Sequence, residues 1–239
     1  NPCCTGDKSL EAMIQFYLYT IIQFFEELSN KQLSEAIRNR VDLKYALHLP
    51  MNSPNLDHDG LCEFRRDLIS DSSTHQILQN LLDRLIAFGL FTPKQDRLTG
   101  VDQLLATVCS INRIDEIVDA MYIVLETLAI TDPDWSRQNP IPYWYDRYNR
   151  KRRLASISYN DQKWGTRVLQ IGEDIRYLLG KIEESQNQKL VALHEIQALK
   201  QLWGEQFIVL SNGKENTQIF EWRFSKCASC NMRSDTKEV

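Results

Sequence analysis

Residues 28 to 69 read LSNKQLSEAIRNRVDLKYALHLPMNSPNLDHDGLCEFRRDLI, and their pattern sets the fold class. Ser29-x-x-Gln32 has the form of a capping box, in which a hydroxyl and an amide satisfy free backbone N–H groups at a helix start. Leu33 and Ile37 follow at helical spacing. The segment is expected to end near His48, where Pro50, Asn52, Pro54 and Asn55 make a turn-rich connection. A new helix then starts, capped by Asp57 or Asp59, with Arg65 and Arg66 beside its apolar stripe. Helix, short irregular joint and helix again describe an all-helical domain.

The same grammar extends outward. The most apolar run, Met13 to Phe25, contains Gln15 and Gln23 and is shorter than the ~20 apolar residues a spanning helix needs. Glu26 and Glu27 follow it instead of a small-residue cleavage pattern. It therefore reads as a buried helix with Ile14, Leu18, Ile21 and Phe25 in its apolar stripe. Ser73-x-x-Gln76 repeats the capping-box form ahead of Ile77, Leu78, Leu81, Leu82 and Leu85, and Gly89 and Pro93 close that helix. Further helices are expected over 104 to 111, 111 to 130, 163 to 184 and 187 to 203, with Pro133, Pro140 and Pro142 breaking regular structure. Only Gln206 to Leu210 and Gln218 to Phe224 have strand character, as a hairpin about Ser211-Asn212-Gly213. The expected core of the first domain is Ile14, Leu18, Ile22, Phe25, Ile37, Leu47, Phe64, Leu68, Leu78, Leu82 and Leu85.

Composition excludes broad classes. With 239 residues, 43% apolar and 25% charged, the chain can bury one or two cores and is not disordered throughout. A net charge of −4 gives no global attraction to nucleic acid, so any such affinity has to come from local patches. Six cysteines at 3, 4, 62, 109, 227 and 230 are too scattered for a compact disulfide scaffold, and reduced thiols in a cytoplasm are expected. A chain beginning at Asn1 rather than Met is the expectation for a piece of a longer reading frame.

Two motifs, Arg40-Val41-Asp42-Leu43-Lys44-Tyr45-Ala46-Leu47 and Leu61-Cys62-Glu63-Phe64-Arg65-Arg66-Asp67-Leu68, resemble in order and spacing the N-terminal helical domain of bacterial insertion-sequence transposases. The catalytic part of that family is an RNase H-like DDE domain. The resemblance covers about 12 to 95 well and continues more weakly to about 205. It runs through Asp83-Arg84-Leu85, Gly89-Leu90-Phe91, Ile111-Asn112-Arg113, Pro140-Ile141-Pro142-Tyr143-Trp144-Tyr145-Asp146-Arg147-Tyr148 and Leu202-Trp203-Gly204-Glu205-Gln206-Phe207. It implies three parts: a transposase-like N-terminal domain at 9–95, a helical region resembling the start of the catalytic domain and its linker at 96–205, and an irregular or hairpin tail at 206–239. The fold class is mostly α, with the RNase H-like core largely missing.

The family's chemistry needs acidic side chains that hold two Mg²⁺ ions for in-line phosphoryl transfer. The matching first tetrad here is Thr99-Gly100-Val101-Asp102, with Gly100 where the resemblance implies the first catalytic Asp. Asp102 lies two residues away, a displacement of roughly 6 to 7 Å along a strand, and reads as a helix cap rather than a ligand. The downstream acids have no counterpart. The segment Arg223-Phe224-Ser225-Lys226-Cys227-Ala228-Ser229-Cys230 resembles one that the family carries much later in the chain. The resemblance thus implies a copy that has lost its catalytic middle, with no cofactor expected in this chain.

Cys227 and Cys230 have the spacing of half a tetrahedral zinc site, without a second pair nearby. His48, His58 and His75 lack partners in catalytic spacing and read as solvated. From Arg137 to Arg153, six basic residues (Arg137, Arg147, Arg150, Lys151, Arg152, Arg153) face one acid, Asp146, with Tyr143, Trp144, Tyr145 and Tyr148 between them. Such a patch either neutralises phosphates while its aromatics stack, or is a solvated linker over an aromatic mini-core. A second basic surface comprises Arg38, Arg40, Lys44, Arg65 and Arg66, offset by Glu35, Asp42 and Glu63. The sequence points to a cytoplasmic, transposase-like DNA-binding protein, catalytically defective, acting at transposon ends or pairing with itself or an intact transposase, and not with a membrane. The alternative is a helical interaction or oligomerisation module with no nucleic-acid role.

Overall fold

The computed structural model describes residues 10–53, 56–89, 100–139, 144, 147–148, 164–211 and 218–222. The protein is mostly α, as expected. Ten helices occur among the described residues: α1 Leu10–Glu26, α2 Asn30–Asn39, α3 Val41–Ala46, α4 His58–Ser70, α5 Ser72–Ala87, α6 Val101–Thr131, α7 Pro133–Gln138, α8 Trp164–Glu184, α9 Gln188–Val191 and α10 His194–Gln206. One antiparallel hairpin follows, β1 Phe207–Ser211 and β2 Gln218–Trp222, in the register Phe207 to Trp222 through Ser211 to Gln218. The strands lie within a residue or two of the expected pair. The Asn212-Gly213 turn lies outside the described residues.

The chain divides into two compact units between Asn112 and Arg113, inside α6. The expected bounds at 9–95, 96–205 and 206–239 follow a resemblance, whereas this division follows packing. The first unit therefore takes in the opening turns of α6, whose Val101, Leu104, Leu105 and Val108 join its core.

In the first unit, α2 begins with the Ser29/Gln32 capping box. Gln32 donates its backbone N–H to Ser29 Oγ at 3.3 Å, and Ser29 donates its own to Gln32 Oε1 at 2.7 Å. Asp57 caps α4 by accepting from Gly60 N at 2.9 Å, and a Cβ on Gly60 would sit 2.3 Å from Asp57 Oδ2 and 2.8 Å from Phe16 Cζ. Only glycine fits that approach. Phe64 of α4 then meets Tyr17 edge-on at 4.7 Å and Phe16 at 5.6 Å between ring centroids. Leu33, Ile37, Leu43, Leu47, Leu61, Leu68, Leu78 and Leu82 complete the core.

Four sequence expectations are corrected here. The buried face of α1 is Phe16, Tyr17, Tyr19, Thr20, Ile21, Gln23 and Phe24, while Ile14 is 50% and Phe25 39% exposed. Polar Thr20 and Gln23 hid that face from an apolar count. Thr20 is satisfied by donating to Phe16 O at 2.8 Å, and Gln23 by the network described below. The cap of α5 is Asp71, not Ser73. Its carboxylate accepts from Thr74 N at 2.9 Å and Ser73 N at 3.3 Å, and a charged acceptor suits the positive end of a helix. Gln76, expected to close a box, bonds Asn80 Oδ1 at 3.0 Å. Asp102 is no cap either, since it lies in the first turn of α6 after Val101. Finally, α6 is one helix of 31 residues, and Pro133 does not end the helical run but starts α7 behind the cap Asp132, which accepts from Trp135 N at 3.0 Å.

The second unit packs Ile117, Val118, Met121, Val124, Leu125 and Leu128 of α6 with Val168, Ile171, Ile175, Leu178 and Ile182 of α8, Leu190 of α9, and Ile196 and Leu199 of α10. Trp203 stacks on Phe207 at 5.9 Å and donates its indole N–H to Gly172 O at 2.9 Å. A side chain on Gly172 would meet the Phe207 ring at 2.7 Å, so α8 stays close to the start of β1.

Candidate functional site

The basic surface expected near α3 and α4 separates into two kinds of residue. Arg40, between α2 and α3, is bound by Glu26 of α1 and by Asp42, whose Oδ2 lies 2.6 Å from Nη2. The Arg40 hydrogen bond holds the Asp42 carboxyl below its usual range, and the two acids raise the guanidinium above its own. Lys44 is buried and donates to the carbonyl of Met51, tying α3 to the loop that leads to α4.

Arg65 is 0% exposed. Its Nη1 donates to Asn30 Oδ1 at 3.0 Å and its Nη2 to Gln23 Oε1, while Gln23 Nε2 donates to Asn30 Oδ1 at 2.9 Å. Asn30 N donates to Asn112 Oδ1 at 2.7 Å. One cation of α4 thus organises amides from α1, α2 and α6. The burial of a guanidinium costs several kcal/mol unless its donors are met, and here neutral amides meet two of its nitrogens. Arg65 and Lys44 hold the fold and do not reach solvent. Arg38 and Arg66 do face solvent.

In the second unit, Arg147 donates to Asp174 Oδ2 and ion-pairs with it. Tyr148 donates its hydroxyl to the same oxygen at 2.7 Å, and Gln170 Nε2 donates to Oδ1 at 3.2 Å. Burial, then the Asp174 charge, pushes the Tyr148 hydroxyl well up. Burial disfavours the Arg147 charge, but Asp174 outweighs it and the guanidinium is raised. Trp144 and Tyr148 are buried and Trp144 meets Tyr177 edge-on at 5.9 Å, so these aromatics of the basic segment pack inward rather than offering stacking faces. Arg137 pairs with Asp134 at 3.2 Å on the surface. Arg150, Lys151, Arg152, Arg153, Cys227 and Cys230 lie outside the described residues.

Gly100 directly precedes α6, and a Cβ there would approach Gln79 Oε1 at 3.0 Å, the atom that accepts from Val101 N at 3.2 Å. Asp102 is 94% exposed and lies 3.5 Å from His75 Nε2, so His75 has a partner when protonated rather than being merely solvated. Among the described residues no three His, Cys, Asp or Glu side chains form a metal-holding group, and no helix is long and apolar enough to cross a membrane. Sequence reasoning did not assign a role to Gln23, Asn30, Asn112 or Asp174, since nothing in the local pattern of each polar side chain names its distant partner. Comparison with protein families, characterised proteins and solved structures finds no match to this chain.

Proposed function

We propose that this chain is a transposase-like protein of an insertion sequence that binds DNA, transposon ends in the first instance, and lacks the family's metal-dependent strand chemistry. The observation that carries the reading is where its two signature motifs fall. Leu43, Leu47, Leu61, Phe64 and Leu68 lie in one core, and Arg40, Lys44 and Arg65 tie together the helices around it. The reading rests on the resemblance, and the fold adds that the apolar and basic residues of both motifs are used together in the first unit.

The phosphate contacts then belong to Arg38 and Arg66, which are exposed in the first unit, and to the basic run Arg150, Lys151, Arg152 and Arg153, which is read from the sequence alone. Such contacts fix position on a duplex without reading bases. Gly100 has no side-chain oxygen to give a metal, so the chain is expected to bind without cutting.

A gel-shift salt titration of the full chain tests this. Binding is expected to fall steeply with salt, the slope dropping by about 2 units in R38A/R66A and by up to about 4 in a 150–153 quadruple alanine variant, at ~0.9 per lost phosphate contact. Lack of binding at low salt would refute the DNA-binding reading. Strand cleavage with Mg²⁺ or Mn²⁺ that disappears in D102A would refute the loss of chemistry and make Asp102 a displaced ligand.

A further inference from the structure

The buried network around Arg65 holds more donors than acceptors. A guanidinium offers five N–H groups. Arg65 directs one from Nη1 to Asn30 and one from Nη2 to Gln23, and its buried Nε meets no acceptor among the described residues. The amide oxygens of the network are already taken, since Asn30 Oδ1 also accepts from Gln23 Nε2 and Asn112 Oδ1 accepts from Asn30 N. At the far end of the network the Asn112 amide nitrogen is likewise buried and unpartnered.

Charge is unbalanced in the same place. Both groups that Arg65 bonds are neutral amides, and the acids two positions either side of it on α4, Glu63 and Asp67, are exposed. An enclosed cation without a counter-charge is among the most costly arrangements a core can hold. We propose that the first unit encloses a small monovalent anion of the halide class, chloride in ordinary solution, which accepts from Arg65 Nε–H and balances its charge.

The surroundings select the size of the ion. Leu61 and Leu68 stand one turn before and after Arg65 on its own face of α4, and both are fully buried, as is Leu33 of α2. A carboxylate or phosphate would bring several heavy atoms into a core packed at crystal density, whereas a halide is a single atom. A water molecule fits the space equally well and accepts hydrogen bonds, but it leaves the charge uncompensated. An ion so enclosed exchanges only when the helices around it open, so it is bound as the unit folds. The proposal concerns the first unit alone and does not depend on the DNA-binding reading.

A ligand that binds the folded chain and not the unfolded one raises stability with its concentration. The test refolds the full chain from urea in mixtures of potassium chloride and potassium glutamate at one total salt concentration. As chloride replaces glutamate from about 1 to 300 mM, the melting temperature is expected to rise by about 5 °C, the shift given by a Kd of about 50 mM. R65M is expected to show no such rise. In the parent chain labelled with 15N-arginine, the Arg65 Nε resonance is expected to move when bromide replaces chloride, while those of the exposed Arg38 and Arg66 stay in place. That measurement decides alone if R65M does not fold. A parent indifferent to chloride, a chloride dependence that R65M retains, or an Arg65 resonance indifferent to bromide would each overturn the proposal, the last pointing to water as the acceptor.

Discussion

At the scale of single residues, the unit-one fold turns on a charge placed where no sequence rule expects it. Arg65 sits in a motif that reads as a basic surface, yet its guanidinium is enclosed by Gln23 and Asn30. R65M is expected to lower stability by about 2 to 3 kcal/mol, because it leaves the Gln23 carbonyl oxygen buried without a donor. R65M combined with Q23L is expected to cost less than the two single changes together, since the partner atoms leave as a pair; strict additivity in urea unfolding would show that the contact is not energetically coupled. The carboxylates behave more simply. Hydrogen bonds from Thr74 and Ser73 hold the Asp71 carboxyl below its usual range. A carboxyl lower in the folded than in the unfolded state adds stability above the unfolded value near 3.9, and that stability is lost as pH falls through the folded value. The melting temperature should therefore drop as pH falls below about 4, and D71N should remove part of that drop; identical profiles for both proteins would contradict it. Legibility at this scale was poor because an amide or a guanidinium is polar by composition whether it is wet or enclosed, and only the geometry of its partners decides.

Helices were more legible than faces. The capping signal at Ser29 and the choice between Asp57 and Asp59 resolve as hydrogen bonds, since short polar side chains next to an apolar run have few alternatives. The second box failed because α5 starts two residues earlier than it implies: Asp71 caps the helix by accepting from Ser73 N and Thr74 N, which leaves Ser73 inside the first turn. The face of α1 failed for a different reason: with apolar residues all round, period alone does not say which arc the rest of the chain covers. The arc that is covered contains Phe16 and Tyr17, and both grip Phe64. F64A is expected to cost about 3 to 5 kcal/mol by chemical denaturation, and S29A about 1 kcal/mol through its lost cap. An F64A protein as stable as its parent would move the centre of that core elsewhere. At the site, the basic run of the second unit was read as one patch, but Arg147 and Tyr148 turn to Asp174, an acid 27 residues from Arg147 that no local pattern connects to it.

For the whole molecule, the division inside α6 is the feature that a sequence reading keyed to a family boundary does not supply, because a continuous helical pattern gives no sign of which core each turn serves. Amide exchange offers a direct check. F64A is expected to speed exchange in α6 up to Asn112 and I175A to speed it from Arg113 onward, whereas equal acceleration along all 31 residues would mean that α6 opens as one unit. The two cores also do not interleave: the first is drawn from Phe16 to Val108 and the second from Ile114 to Phe207. On a ribosome adding ~5 to 20 residues per second, the first core is complete while the partners of the second are still unmade, for roughly 5 to 20 s. Through that interval the nascent chain carries a finished domain followed by a bare apolar helix, and this is the species a chaperone would meet.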